Sequence, residues 1–332
     1  MNRFIRIVLW ILFFIALYIA VGYFLPKVVY VENKVEINAS VKTAYSQVID
    51  LHSWNHWSKW NKIDPEMKVK YVNNGVGKMA GYFWESDNRK VGNGSIMIFE
   101  TAIKDSIVLC IAFSEKGEAR STFQFEEKDG KSIVKWSLKY DLGQYPQLWW
   151  LASSMKKNIG RDFEESLTNL KALCEVLEKE REYIVLIDDV QEFNFASIQE
   201  TVPHIDISLR MGEMYGNIGV FLAKNEAEMA GMPYSRYHLM KEDEIDLECG
   251  IPTIELVESS NEILTGIFPK TRCVTVDYYG DYQNLQEGHT AQQWMEKRGI
   301  ELAGPPMEFY LTDPGAEPDP TKWLTKICYP IH

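Results

Sequence analysis

The N-terminal 27 residues place the strongest limit on the fold, because they contain 19 consecutive residues without a charge, from Ile7 to Leu25. At 1.5 Å per residue, a helix over this run is about 28 Å long, close to a hydrocarbon core of roughly 30 Å. No polar side marks a solvent-facing surface, which disfavours a core helix of a soluble domain. The sequence therefore predicts a transmembrane anchor over residues 1–27, with residues 7–25 in contact with the lipid bilayer.

The charges beside this run predict its orientation. Arg3, Arg6 and the terminal amine precede it, and positive residues favour the cytoplasmic side. We therefore expect a single-pass protein of a bacterial-type cytoplasmic membrane, with its soluble domains outside the cytoplasm. The alternative is a cleaved signal peptide, although the apolar run is longer than usual and Ala20–Gly22 is a poor cleavage site.

Charge and cysteine content exclude several classes of function. The chain has 35 Lys+Arg against 47 Asp+Glu and a formal net charge of −12, whereas nucleic-acid binding needs a basic face. No basic helix-turn-helix pattern is present, so we expect no nucleic-acid partner. The five cysteines are scattered, without a Cys-x-x-Cys or Cys/His cluster. His52 and His56 lack a third metal ligand, so we expect neither a metal nor a cofactor.

Residues 30–180 have the pattern of an α+β domain. Val29–Ile37 alternates like a strand, and Ser40 is a favoured N-cap for the helix that follows. Six strand-like runs separated by turn residues come next, and one long amphipathic helix follows Pro146. A curved antiparallel sheet around such a helix would leave a cavity between the two.

This domain resembles the START-like superfamily, also called SRPBCC or polyketide cyclase-like. The resemblance rests on Ile37–Val41 entering a helix, on the tryptophans after it, and on Asp162–Lys171 near the end. It implies a helix-grip fold that holds an apolar ligand, and no shared catalytic residue. The tryptophans predict either a packed lid over the cavity mouth or a ligand cage, and they are Trp54, Trp57 and Trp60.

Residues 183–332 contain two similar segments. Ala230–Tyr237 compares with Ala303–Tyr310 at an offset of 73 residues, with alanine, glycine, the second proline and tyrosine in common. A strand-like run and an amphipathic helix precede each segment, the helices covering about 204–226 and 282–298. The pattern predicts a duplicated β-α-β-β unit, whose pseudo-twofold axis is a favoured place for a ligand pocket.

The same region resembles the GyrI-like small-molecule-binding domain, which is also the effector-binding part of AraC- and MerR-type regulators. The resemblance rests on Pro233–Tyr237, Asp246–Pro252, Tyr278–Trp294, Gly304–Pro314 and Asp319–Pro330. It implies binding of hydrophobic, often cationic, compounds on aromatic walls around a buried carboxylate. Some stand-alone relatives hydrolyse cyclopropane-containing toxins, which leaves a hydrolase open.

Glu308 is the candidate carboxylate. Strand alternation places Glu308 and Tyr310 on one face, and a buried Glu is costly unless a partner compensates its charge. Glu308 could instead pair with an internal Lys or Arg, or lie at an exposed edge. Lys326 stands where the family commonly has an acidic residue, and it could neutralise Glu308. The ring faces expected to attract a cation, unless they are ordinary core residues, belong to Tyr237, Tyr278, Tyr282, Trp294 and Tyr310.

These observations favour a membrane-anchored binding protein for hydrophobic small molecules, including cationic ones, that acts as a sensor, carrier or sequestering factor. It would have no DNA-binding module. The first alternative is a hydrolase of xenobiotic or cyclopropanoid compounds, with Glu308 as general base and Tyr282 or Tyr310 as donor. The second is an interaction module of an envelope complex, with both cavities filled by side chains. The sequence points to no particular protein partner.

Overall fold

A computed structural model describes residues 3–113, 117–144, 149–179, 183–260, 262–288 and 290–332. The chain divides into two compact units, Met1–Glu182 and Tyr183–His332. The predicted α+β class is confirmed, because one apolar N-terminal helix precedes two antiparallel sheets that carry helices.

The N-terminal helix α1 covers Arg3–Gly22, a length of 20 residues. Within the described ranges, it is the one helix that is long and apolar enough to cross a membrane. A signal sequence near the N-terminus has the same properties. Almost all of its side chains are exposed, as expected for a helix whose partner is not protein.

Seven strands and four further helices form the rest of the first unit. The strands are β1 (Val28–Ile37), β2 (Lys68–Val72), β3 (Gly81–Glu85), β4 (Gly94–Ala102), β5 (Ser106–Phe113), β6 (Gly117–Lys128) and β7 (Lys131–Asp141). They form an antiparallel sheet in the order β1-β7-β6-β5-β4-β3-β2. The helices are α2 (Val41–Ile49), α3 (Trp54–Trp57), α4 (Lys59–Ile63) and α5 (Ala152–Lys179).

Helix α5 packs into the concave side of this sheet. Its buried residues include Phe163, Leu167 and Leu170, which recur at spacings of four and three and therefore form one stripe. Phe163 stacks on Trp136 of β7, with ring centroids 3.6 Å apart. Ser40 caps α2, as predicted, since its side chain accepts a hydrogen bond from the Thr43 amide.

Eight strands form the sheet of the second unit. They are β8 (Val185–Val190), β9 (Phe193–Pro203), β10 (Tyr234–Met240), β11 (Glu244–Thr253), β12 (Leu264–Phe268), β13 (Thr271–Tyr279), β14 (Met307–Tyr310) and β15 (Leu324–Pro330). Their order is β12-β9-β11-β10-β14-β15-β13-β8. This order has the same pattern from either edge, with β10 and β14 adjacent at the centre. The helices are α6 (Ile207–Lys224) and α7 (Ala291–Glu296).

The sheet has two distinct faces. Residues opposite each other in register share a face, and we call one the helix face because its side chains pack against α6 and α7. The central row of the helix face consists of Cys249, Ser235, Glu308, Ile327 and Val276. The next row points to the opposite side, which we call the reverse face, and consists of Glu248, Arg236, Met307, Cys328 and Thr275.

The second predicted helix of this unit differs from the structure. Instead of one helix over 282–298, a 3-10 segment covers Tyr282–Gly288 and α7 is only 6 residues long. A Cβ at Gly288 would lie 2.6 Å from Ile327 Cδ1 and 2.9 Å from Tyr278 Cβ. The segment therefore approaches the sheet too closely for a side chain, and glycine also weakens a helix.

Candidate functional site

Glu308 lies in β14, at the centre of the eight-stranded sheet and on its helix face. The residue is only 2% exposed. The strand register pairs Glu308 with Ser235 of β10 and with Ile327 of β15. Ser235 and Glu308 are 73 residues apart, so they are equivalent positions of the two similar sequence segments. They therefore face each other at the boundary between the two halves.

Hydroxyl groups from both halves surround the Glu308 carboxylate. Tyr237 and Tyr310 donate hydrogen bonds to Oε2 at 2.6 and 2.8 Å, and Ser235 approaches the same oxygen at 3.4 Å. Ser235 Oγ also lies 2.8 Å from the Tyr310 hydroxyl. Because Tyr237 and Tyr310 are also equivalent at the offset of 73 residues, one carboxylate oxygen joins the two halves of the domain.

Burial keeps these tyrosines protonated. It raises the pKa of Tyr237 well above 10.0, and the nearby charge of Glu308 raises it further. Burial likewise raises the pKa of Tyr310, with smaller contributions from Tyr237 and Glu308. Both hydroxyl groups therefore remain donors at neutral and mildly alkaline pH, and both direct their protons at the carboxylate.

An aromatic wall continues from Tyr310. The ring of Tyr282 meets the ring of Tyr310 edge-to-face at 5.4 Å, and Trp323 lies 5.0 Å from Tyr282. The Tyr282 hydroxyl donates to the Thr312 carbonyl at 3.1 Å, which fixes the direction of its ring. We call Tyr237, Tyr310, Tyr282 and Trp323 the aromatic wall.

Tyr278 and Trp294 lie in a different environment. Both pack in the hydrophobic cluster beneath α7, and the Tyr278 hydroxyl donates to the Asp281 carbonyl at 3.0 Å. The guanidinium carbon of Arg298 lies 4.2 Å from the centre of the Trp294 ring. An internal cation therefore already occupies one face of this ring, and the structure does not place either side chain among the hydrogen-bond donors of Glu308.

Lys326 lies on the reverse face. The register pairs Lys326 with Phe309 of β14 and with Asp277 of β13, whereas its neighbour Ile327 is the partner of Glu308. Since successive residues of a strand point to opposite faces, Lys326 is directed away from the Glu308 carboxylate.

A second buried carboxylate, Glu248, lies on the reverse face and was not predicted from the sequence. It is 4% exposed. The Arg236 guanidinium donates to Glu248 Oε2 at 3.1 Å, and His238 Nε2 lies 2.7 Å from the same oxygen. The Tyr234 hydroxyl donates to the other oxygen at 3.4 Å. Glu248 is therefore held by an ion pair, whereas the hydroxyl donors of Glu308 are neutral.

A cavity of about 1350 Å³ lies in the first unit, between the sheet and α5. Trp60 lines this cavity. Trp54 and Trp57 are fully buried core residues, and their indole groups donate to the carbonyls of Val48 and Gln47, each at 3.0 Å. Of the predicted lid, the structure thus places Trp60 at the cavity and the other two tryptophans beneath it.

Neither histidine of the predicted loop belongs to a metal cluster. His52 Nδ1 lies 3.0 Å from Asp50 Oδ1, and His52 stacks on Tyr71 at 3.8 Å. Among the residues that the structure describes, no group of three or more His, Cys, Asp or Glu side chains could hold a metal ion.

Three of the residues around Glu308 were missed at the sequence level, namely Ser235, Tyr215 and Trp323. The internal similarity contained a signal for Ser235, because it aligns with Glu308. Tyr215 comes from α6, and its hydroxyl donates to the Tyr234 carbonyl at 2.8 Å. No sequence pattern relates α6 or the segment before β15 to β14, so Tyr215 and Trp323 could not be found.

Family models match both units. Residues 29–175 match the model of the polyketide cyclase / dehydrase and lipid transport family, and residues 185–332 match the model of the GyrI-like small molecule binding domain. No curated protein matches the chain significantly.

Several solved structures are similar to parts of the chain. The EcmrR chain of a DNA complex is 21% identical, with 56% of this chain and 71% of that chain covered and a TM-score of 0.43. The EcmrR C-terminal domain is 22% identical, with coverages of 45% and 98% and a TM-score of 0.40. CalU16 from Micromonospora echinospora is 13% identical, with coverages of 46% and 79% and a TM-score of 0.32.

All three TM-scores are below 0.5, so the assignment of the domains rests on the two family models. Each matched segment lies within one of the compact units. The chain therefore consists of a domain of the polyketide cyclase / dehydrase and lipid transport family followed by a GyrI-like small-molecule-binding domain, which is the order predicted from the sequence.

Proposed function

We propose that this protein is a membrane-anchored binder of hydrophobic small molecules, and that its GyrI-like domain recognises a cationic group at Glu308. The observation that carries the proposal is the buried carboxylate that accepts hydroxyl protons from Tyr237 and Tyr310. The aromatic wall of Tyr237, Tyr310, Tyr282 and Trp323 lies beside it.

The hydroxyl donors orient the carboxylate but do not cancel its charge. A tyrosine or serine hydroxyl is neutral, so it occupies a lone pair of Glu308 and leaves the negative charge in place. In a buried setting, this charge attracts a cation more strongly than it would in water. Each ring face adds roughly 0.5–2 kcal/mol of attraction for a cation that comes within about 6 Å.

The comparison with Glu248 supports this division of roles. Glu248 receives the Arg236 guanidinium on the reverse face, as a carboxylate of the structural core does. Glu308 receives hydroxyl groups, and Lys326 points to the other side of the sheet. The two carboxylates therefore have different electrostatic surroundings within one sheet.

The membrane anchor in this proposal is α1, whose apolar side chains cover Arg3–Gly22. Negative membrane surfaces attract hydrophobic cations, so an anchored binder would work where such molecules concentrate. Sequestration or carriage from that surface is the role that we assign to the protein, with the soluble domains on the extracytoplasmic side. The general-base role of Glu308 stays the alternative prediction.

Isothermal titration calorimetry with two matched ligands tests the proposal. Benzyltrimethylammonium and its uncharged isostere 2,2-dimethylpropylbenzene differ in charge but hardly in shape. We expect the full chain to prefer the cation by at least tenfold, and Glu308→Gln to remove this preference. Glu301→Gln, on an exposed residue, is the control and should leave it unchanged. Equal binding of both ligands by the unmodified chain would refute the proposal, and ligand turnover would favour the hydrolase.

A further inference from the structure

The cavity of the first domain opens next to the segment that leaves α1. Strand β1 begins six residues after Gly22, a distance of at most about 20 Å along the chain. Val28 of β1 pairs with Asp141 of β7, and the Leu142 amide donates to the Lys27 carbonyl at 2.8 Å. Asp141 and Leu142 both line the cavity. Backbone hydrogen bonds therefore tie this end of the cavity to the exit of α1.

Two tryptophans before α5 contact the last turns of α1. Trp150 stacks on Tyr18 with ring centroids 5.0 Å apart and an angle of 8° between the planes. Its indole group also donates to the Tyr18 carbonyl at 3.2 Å. Trp149 meets Tyr23 edge-to-face at 5.6 Å. Because Trp and Tyr concentrate at membrane–water interfaces, these four rings mark the level of the bilayer surface.

Leu151 connects this interface to the cavity. It directly follows the two tryptophans, lines the cavity and is nevertheless 49% exposed. Its neighbours on the outer surface are also apolar and exposed, since Trp150 is 40% exposed and Phe24 is 90% exposed. An apolar surface thus runs from α1 to the cavity wall.

The cavity combines an apolar interior with a polar rim. Ile159 of α5 and Leu138 of β7 line the interior, whereas Arg89, Lys90 and Asp87 line it from the exposed loop between β3 and β4. Its volume of about 1350 Å³ exceeds the roughly 300–1,000 Å³ of ordinary small-molecule pockets. This division suits an amphiphile with a long apolar part and a polar head.

We propose that the cavity of the first domain takes up an amphiphilic lipid directly from the bilayer, with the apolar chain entering past Leu151 and the head held by the loop that carries Arg89 and Lys90. This inference rests on the membrane anchor of the proposed function, but it does not depend on Glu308. Direct entry avoids passage of the apolar chain through water, which is the costly part of extracting a lipid.

Photo-crosslinking of the full chain in phosphatidylcholine vesicles tests this route. The probe is a phosphatidylcholine with a diazirine at the end of one acyl chain. We expect cross-links to the cavity residues Leu138 and Ile159, in addition to α1. Ile159→Trp fills the cavity and Leu151→Asp places a charge on the entry surface, so each should reduce labelling of Leu138 at least tenfold. Leu256→Asp, at an exposed leucine of the second domain, should leave it unchanged.

A second arm separates the entry route from binding itself. A short-chain, water-soluble diazirine fatty acid is added to the full chain in detergent micelles. Here Leu151→Asp should label Leu138 as efficiently as the unmodified chain, whereas Ile159→Trp should not. Labelling of α1 alone in the unmodified chain, or equal labelling of Leu138 from vesicles in Leu151→Asp, would overturn the inference. Carbonate extraction of the chain from the vesicles would overturn the anchor as well, so the two failures are distinguishable.

Discussion

Ser235 and Glu308 are strand partners at the centre of the eight-stranded sheet, and they occupy equivalent positions of the two similar sequence segments. One half of the domain thus supplies a carboxylate and the other half a hydroxyl group. Side chains directly opposite each other in a sheet are about 5 Å apart, so two carboxylates here would repel. The serine therefore allows a single buried negative charge at the boundary of the two halves.

Replacing this serine by an acid should be destructive. Ser235 is fully buried, so Ser235→Asp adds an uncompensated charge beside Glu308, and we expect a loss of about 3 kcal/mol or more in the free energy of unfolding. Ser235→Ala, which only removes a long hydrogen bond, should cost about 1 kcal/mol. Urea denaturation of the full chain in detergent micelles measures both values. Similar losses for the two variants would contradict the proposed electrostatics.

The tyrosine hydroxyls should contribute measurably to stability. Hydrogen bonds to a charged acceptor are worth roughly 1.5–3 kcal/mol, so Tyr237→Phe and Tyr310→Phe should each lower the free energy of unfolding by an amount in this range. Because both hydroxyls bond to the same oxygen, the double variant should lose less than the sum. Tyr279→Phe, at a tyrosine that is 59% exposed, is the control. Strict additivity would indicate that the two bonds do not share an acceptor.

Stability should fall at alkaline pH with a defined sign. Burial holds the pKa values of Tyr237 and Tyr310 well above 10.0, whereas these groups titrate near pH 10 in the unfolded chain. Above about pH 10, the unfolded chain therefore binds fewer protons than the native chain, and the free energy of unfolding decreases. Below about pH 9, these groups contribute no pH dependence. Denaturation curves from pH 8 to 11.5 should have a smaller alkaline slope for Tyr310→Phe, and an unchanged slope would contradict this explanation.

The ion pair on the reverse face should respond differently from Glu308. Glu248→Gln leaves the Arg236 guanidinium without its buried counter-charge, and we expect a loss of about 3–5 kcal/mol in unfolding free energy. Glu308→Gln retains an acceptor for the hydroxyl groups and should cost less. Urea midpoints of the two variants, measured together, check this order. The reverse order would place the structural carboxylate at Glu308 and weaken the proposed function.

The fate of α1 can be determined by mass spectrometry of the membrane fraction. A retained anchor predicts the mass of the chain with residues 7–25 intact and resistance to carbonate extraction. A mass that begins after Gly22, in the soluble fraction, would identify a cleaved signal peptide instead and remove the anchor from the proposed function.

Much of the fold was predictable because its elements are periodic. The strand alternation of Val29–Ile37 and the apolar stripe of α5 are local patterns, and the structure places β1 at Val28–Ile37 and α5 at Ala152–Lys179. The helix predicted over 282–298 was wrong in extent because a tertiary contact, the approach of Gly288 to Tyr278, overrides the local pattern.

The site was only partly predictable because it depends on strand pairing. Sequence alternation put Glu308 and Tyr310 on one face, and the structure agrees. The position of Lys326 required the register between β14 and β15, and no local pattern contains that information. The ion pair of Glu248 and Arg236 joins neighbouring strands through a bulged register, which alternation alone could not identify.

A structure of the full chain with benzyltrimethylammonium bound tests the central claim most directly, since it locates the charge of the ligand. The account predicts that the ammonium group lies within about 5 Å of the Glu308 carboxylate, against the rings of Tyr237 and Tyr310. An ammonium group bound elsewhere, with Glu308 in contact with protein side chains alone, would contradict it.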